Sequence, residues 1–258
     1  MQSSPNAKRM KYVVLRYETT DSTNRLLREY KPKDGEEAVV AVADYQTAGR
    51  GQGSNTWESE RGKNLLFSML IHPRHVDARR QFVLSMASAL AQKDALETYA
   101  GNITLKWPND VYWKDRKIGG TLIETRLTGH TVNDCIIGTG INVNQRLFRS
   151  NAPNPVSLYN ITGQETDITG LLDKILAAFA GYYAMTMRND FETIRQRYHE
   201  ALYRRQGTYR YMDGDGVFEA EIAEVRDDGR LVLRRKDGCT GTYAFKEVKF
   251  VIQQQIDT

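Results

Sequence analysis

Cysteine is nearly absent: only Cys135 and Cys239 occur, far apart and in no metal-ligand spacing. That argues against a disulfide framework and fits a reducing compartment. Histidine is as scarce. His72, His75, His130 and His199 are scattered, so no structural zinc site is expected and no residue is assigned to a metal. Long apolar runs are missing too. None approaches a membrane span, and the opening MQSSPNAKRMKYVV has basic residues but no apolar core of signal-peptide length. A cytoplasmic protein with no membrane partner is the expectation. Strong charge of one sign is also lacking. Lys plus Arg number 36 against 32 Asp plus Glu, a net +4 that is too mild to argue for nucleic acid. There is no internal repeat and no low-complexity tract. What remains is a 258-residue chain, 40% hydrophobic and 26% charged, ordinary for a globular protein. It is long enough for one large domain, or one domain and a small one.

What the sequence does have is glycine in one unusual place. Thr47 to Trp57, TAGRGQGSNTW, alternates Gly49, Gly51 and Gly53 with Arg50 and Gln52. Alternating glycine prevents a stable helix and weakens a strand. A hairpin loop is the plain reading. The functional reading is a polar ligand approached by bare backbone N–H groups, with Arg50 as a fixed positive fork.

The neighbouring stretches give this loop a setting. Tyr12 to Tyr17 reads as a strand. Asp21, Ser22, Thr23 and Asn24 are all helix-capping types, and Leu26, Leu27 and Tyr30 give a short helix something to bury. Capping needs one side chain and four are offered, so the spare hydroxyl and amide groups are candidates to face a ligand. Glu37 to Tyr45 and Asn64 to Ile71 read as buried strands on either side of the loop, placing it at a sheet edge. Asp77 to Tyr99 reads as a long amphipathic helix, with Val83, Met86, Ala87, Leu90 and Ala91 facing a core.

Strands at 103–107, 111–113 and 117–125 follow, joined by the turns Pro108-Asn109-Asp110 and Lys114-Asp115-Arg116. Lys106 and Lys117 therefore flank a compact antiparallel unit. Gly119 and Gly120 leave no side chain on either face of the returning strand, as at a bulge or at close approach of a ligand. Val132 to Asn144 forms another strand; Asn142 and Asn144 share a face and either stabilise a turn or supply amides to a ligand. Asn151 to Asn160 is irregular, and helices are expected at 171–187 and 191–202. From Thr208 the composition changes to short strands with Gly/Asp turns, which predicts a small closed or nearly closed barrel.

In this order, DSTN at 21–24, YQTAGRGQ at 45–52, Trp57, KWPNDVY at 106–112, KIGGTLIE at 117–124 and GTGINVN at 138–144 resemble the biotin–protein ligases. The resemblance spans about 120 residues. It implies an α+β fold: a mixed-sheet catalytic domain flanked by helices over residues 1–205, then a small C-terminal β-barrel over 206–258. No room is left for the N-terminal DNA-binding domain of some members, so no DNA partner is expected. The implied substrates are ATP and biotin, with magnesium. The implied partner is a biotin carboxyl carrier protein, and the implied state is a monomer or homodimer. Biotin's carboxylate attacks the α-phosphate of ATP to give biotinyl-AMP, and a carrier lysine then takes the biotinyl group.

The resemblance also assigns residues. Ser22, Thr23, Asn24, Gln46, Arg50, Gly51, Gln52, Lys117, Gly119 and Gly120 are placed at biotin. Gly49, Gly51, Trp57, Lys106, Asn109 and Asn142 are placed at the nucleotide. Arg50, Lys117 and Asp110 are the catalytic candidates, since fixed cations stabilise developing charge. One departure stands out: the family loop usually carries further arginines where this chain has Gln52 and Ser54-Asn55. Two other readings compete. One is a lipoate or octanoate ligase or transferase of related fold, and the other is a nucleic-acid-binding module built on the small barrel.

Overall fold

The computed structural model describes residues 10–33, 35–53, 55–149 and 154–252. Ser54 of the loop and the first part of the irregular 151–160 stretch lie outside them.

A seven-stranded mixed sheet organises most of the chain, in the order β1-β2-β3-β7-β6-β5-β4. Its strands are β1 (Tyr12–Tyr17), β2 (Ala38–Ala43), β3 (Asn64–Ile71), β4 (Ile103–Lys106), β5 (Asp110–Trp113), β6 (Arg116–Thr128) and β7 (Thr131–Asn142). Only β1 and β2 run parallel; the remaining neighbours are antiparallel. The β-rich runs AVVAVA and NLLFSMLI are buried along their whole length because they are covered on both faces.

Alternation along these strands separates two layers. Val40, Phe67, Met69 and Ile137 face the main core under helices α2 (Phe82–Glu97), α4 (Ile168–Met187) and α5 (Phe191–Glu200). Val39, Ala41, Leu70 and Ile136 face the other way, against Leu27 of helix α1 (Thr23–Glu29). The helices therefore do not all lie on one side.

Helix α2 also departs from expectation. Its start is a 3₁₀ turn at Ala78–Arg80, where Asp77 accepts from the Arg79 N–H. Beyond it the helix is buried almost all round, including Leu84, Ser88, Ala89 and Gln92. The sheet covers one side and α4 and α5 cover another, so no amphipathic stripe is required of it. A one-and-a-half-turn helix, α3 (Leu158–Thr162), occupies ground read as irregular. A capping box between Ser157 and Asn160 starts it, and Gly163 at φ 73° ends it.

The C-terminal strands β8 (Tyr209–Asp213), β9 (Gly216–Val225), β10 (Leu231–Arg235), β11 (Thr240–Tyr243) and β12 (Lys249–Phe250) form a second sheet, ordered β11-β10-β9-β8-β12. Its two edge strands do not pair with each other among the described residues, so the expected barrel is an open sheet. It shares the main apolar core through residues such as Val225 and Leu231, and polar ties add to that contact. Trp107 Nε1 donates to Gly229 O at 2.8 Å, and Asp227 accepts from Arg80 at 3.0 Å and lies 3.3 Å from Arg195.

Candidate active site

The glycine-rich stretch folds as a short hairpin between β2 and β3. Its entry is pinned by Thr47 N–H to Thr20 O at 2.8 Å and Ala48 N–H to Asp21 O at 3.0 Å. Its stem closes with Gly51 N–H to Asn55 O at 2.7 Å and Trp57 N–H to Gly49 O at 3.0 Å. The hairpin leaves the end of the sheet, rather than its edge, because β2 and β3 are interior strands. From there it covers the α1-side face.

On that face β7 presents Gly138 and Gly140, so the sheet floor is bare. A Cβ at Gly138 would overlap the Asn24 amide, and one at Gly140 would collide with the Trp57 indole. Those two side chains lie directly on the strand, which only glycine permits. Between floor and hairpin is a cavity of about 190 Å³.

One wall is neutral and polar. Gln46 Oε1 accepts from the Thr23 backbone N–H at 2.8 Å and from its hydroxyl at 3.1 Å. Ser68 Oγ lies 2.7 Å from Thr23 Oγ1 and 2.6 Å from Asn24 Oδ1. Asn24 Nδ2 donates to Glu124 Oε2 at 3.1 Å. Ser22 is the N-cap of α1, yet its side chain makes no capping bond and lines the cavity. The cluster of capping types therefore serves the cavity more than the helix.

The opposite wall is cationic. Lys117 Nζ lies 2.6 Å from Asp110 Oδ1 and 5.6 Å from the Trp57 ring centre. Gly120 makes room for it: an added Cβ there would stand 3.2 Å from Lys117 Nζ. Arg50, half exposed, lies 3.8 Å from Glu124. Lys106 projects into the same space, and its pKa is lowered by burial, then further by Lys117 and Arg204, against the opposing pull of Asp110. Three cations thus face one carboxylate in the cavity, with Glu124 paired behind them to Arg28 at 2.6 Å. Asn109 holds the turn in place by donating to Thr121 O at 2.6 Å.

Two buried side-chain polar atoms of the hairpin residues lining this cavity have no hydrogen-bond partner among the described residues: Gln52 Oε1 and Trp57 Nε1. Buried polar groups are rarely left so. Both belong to residues that line one cavity, which suits it to a polar ligand.

The cavity gathers Ser22, Thr23, Asn24, Gln46, Arg50, Gly51, Gln52, Trp57, Lys106, Asn109, Asp110, Lys117 and Gly120. It does not gather Gly49, Gly119 or Asn142. Gly49 lies in the hairpin stem, where an added Cβ would meet Trp57 O at 3.0 Å. Gly119 packs against Gly140 O and the Ile141 side chain. Asn142 is buried and donates to Val156 O at 3.1 Å, and Asn144 exchanges two bonds with Thr166. Both asparagines hold the chain that follows β7. Sequence reasoning did not place Gly138, Gly140 or Phe245 in the lining. The two glycines had a signal, as strand glycines on one face; Phe245 had none, since it arrives from the second sheet.

The profile of the Biotin/lipoate A/B protein ligase family matches residues 17–142. The biotin–[acetyl-CoA-carboxylase] ligase of Paracoccus denitrificans is 31% identical over 233 residues, covering 85% of this chain and 93% of that protein. The bifunctional ligase/repressor BirA of Bacillus spizizenii is 29% identical over 229 residues, covering 86% and 70%. Among solved structures, the Aquifex aeolicus biotin protein ligase in complex with biotin and ATP superposes with a TM-score of 0.75 at 26% identity, covering 92% of this chain and 99% of that one. With its hairpin, polar wall and cation cluster in the order that resemblance implies, this chain belongs to the biotin–protein ligase family.

Proposed function

We propose that the protein is an ATP-dependent ligase that activates biotin as biotinyl-AMP and transfers it to a lysine of a biotin carboxyl carrier protein. The observation that carries this reading is the cavity itself, where a neutral polar wall faces three cations beneath a hairpin whose Gln52 and Trp57 keep unpartnered polar atoms. The two walls match the two ends of the activated substrate. A planar ureido ring needs fixed neutral donors and acceptors, and Ser22, Thr23, Asn24 and Gln46 supply them. A carboxylate brought to a polyphosphate needs its repulsion screened. In this reading Arg50 and Lys117 take the carboxylate and α-phosphate, and Lys106 takes the charge leaving with pyrophosphate. Lys117 is released from Asp110 as it turns to the biotin carboxylate. Asp110 is then free to accept the proton of the carrier lysine as its amine attacks the acyl carbon and AMP departs. The hairpin covers the mixed anhydride and keeps water from it.

Magnesium enters as the counter-ion of the nucleotide. Among the described residues no three His, Cys, Asp or Glu side chains cluster to hold a metal, and an ion carried on phosphates needs about one or two protein carboxylates at most. We take residues 1–205 as the catalytic domain and 206–258 as a separate module, and the setting as cytoplasmic. No helix among the described residues is long and apolar enough to cross a membrane.

The test is ATP–pyrophosphate exchange with biotin, lipoate or neither present. Exchange that requires biotin supports the reading; exchange driven by lipoate alone, or none, overturns it.

A further inference from the structure

The second sheet touches the cavity through one segment. Phe245, between β11 and β12, lines it, and Phe250 on β12 places its ring centre 4.8 Å from the Lys106 ammonium. Tyr112 of β5 lies on the same ammonium at 5.4 Å. Lys106 is thus held between one ring from each sheet.

Phe250 is itself supported. It meets Tyr211 edge-on with centroids 5.0 Å apart, and Tyr203 at 6.2 Å. Tyr211 stacks on Phe218 and Phe218 on Tyr243. A column of rings runs from the second sheet to a cation in the cavity. The backbone there is fixed as well: Phe250 pairs with Tyr211, and Val251 O accepts from Arg204 at 3.0 Å.

A cation over a ring face is attracted by its quadrupole, and more so when water is removed. Lys106 needs that help. Burial, Lys117 and Arg204 all disfavour its charged form, and Asp110 is the carboxylate that favours it. We propose that Phe250 is a positioning residue for adenylation: it holds Lys106 charged and aimed into the cavity, so that the C-terminal module completes the nucleotide site. Phe250 touches no substrate in this scheme and acts through Lys106. The inference rests on the ligase reading above.

The test uses the full chain with Phe250→Leu, Phe250→Tyr, Lys106→Gln and the double variant F250L/K106Q, assayed by biotin-dependent pyrophosphate exchange across the alkaline range. Leucine keeps apolar volume and removes the ring. F250L is expected to lower kcat/KM for ATP roughly three- to tenfold and to shift the alkaline limb of its pH profile to lower pH, while leaving biotin affinity near wild type. F250Y restores a ring and recovers the rate to within about threefold. In the K106Q background, F250L should cost nothing further. If F250L does not accumulate, Phe250→Met, close in volume and ringless, takes its place. The inference is overturned if F250L keeps the wild-type alkaline limb, or if its loss is equally large without Lys106. A wild-type chain with no biotin-dependent exchange overturns the ligase reading instead, so the two failures are distinct.

Discussion

Gly138→Ala tests the floor of the cavity with a single methyl group. Its Cβ would occupy the space of the Asn24 amide, so one of the two must move. The strand cannot yield easily: Gly138 pairs with Ser68 of β3 on one side and Leu122 of β6 on the other, in the middle of the sheet. Asn24 must therefore leave its place, together with its contacts to Ser68 at 2.6 Å and Glu124 at 3.1 Å. Overpacking a tight site costs about 1–3 kcal/mol, and for a chain of this size each kcal/mol lowers Tm by roughly 2–4 °C. The larger effect falls on biotin. Displacing Asn24 removes one polar wall group and leaves Ser68 without its amide partner, a loss of about 1–3 kcal/mol in binding. That corresponds to a Kd raised roughly 5- to 150-fold. Isothermal titration with biotin measures it, and Gly101→Ala, where an added Cβ meets nothing within 4 Å, is the control. Wild-type biotin affinity in a folded G138A protein would refute this account of the floor.

Other substitutions probe separate links. Lys117→Ala should leave Tm nearly unchanged and cut pyrophosphate exchange by about 10²–10³-fold, whereas Lys114→Ala, in the turn before β6, should leave the exchange rate at the wild-type value. Gly181 lies on the exposed side of α4 with open space around an added Cβ; Gly181→Ala should raise stability by about 0.5–1 kcal/mol, read as a higher Tm. His75 bonds Thr186 at 2.9 Å, and burial lowers its pKa from the ordinary 6.5. The unfolded chain then binds a proton that the folded chain refuses, so stability declines as pH falls below 6.5 toward the folded pKa. His75→Gln should flatten that part of a Tm-against-pH curve; an unchanged slope would contradict it.

Local pattern carried much of this structure. The apolar runs at 38–43 and 64–71, the turn at Pro108-Asn109 and the helix from 168 to 187 all lie where short-range chemistry puts them. The cavity was legible through its oddities: four capping residues where one suffices, alternating glycines and two lysines flanking a turn. Features set by distant packing were not. Helix α2 is buried nearly all round because α4 and α5 cover its outer side, and no local period announces a second covering layer. The closing of a barrel depends on whether β11 meets β12, which strand spacing does not determine. Asn142 looked like a ligand contact because amides suit both nucleotides and chain turns, and here the turn uses it. Phe245 reaches the cavity, and Phe250 reaches Lys106, from a module with no sequence motif, so only the docked structure reveals them.

In the function proposed above, this cavity makes biotinyl-AMP and delivers it to a protein lysine. The most direct measurement mixes the protein with ATP, magnesium, biotin and a carboxyl-carrier domain, and follows the carrier by streptavidin blot and intact mass. One biotinyl group per carrier is expected, absent without ATP and absent when the carrier's acceptor lysine is arginine. A carrier left unmodified, or one that gains a lipoyl group in place of biotin, would contradict it.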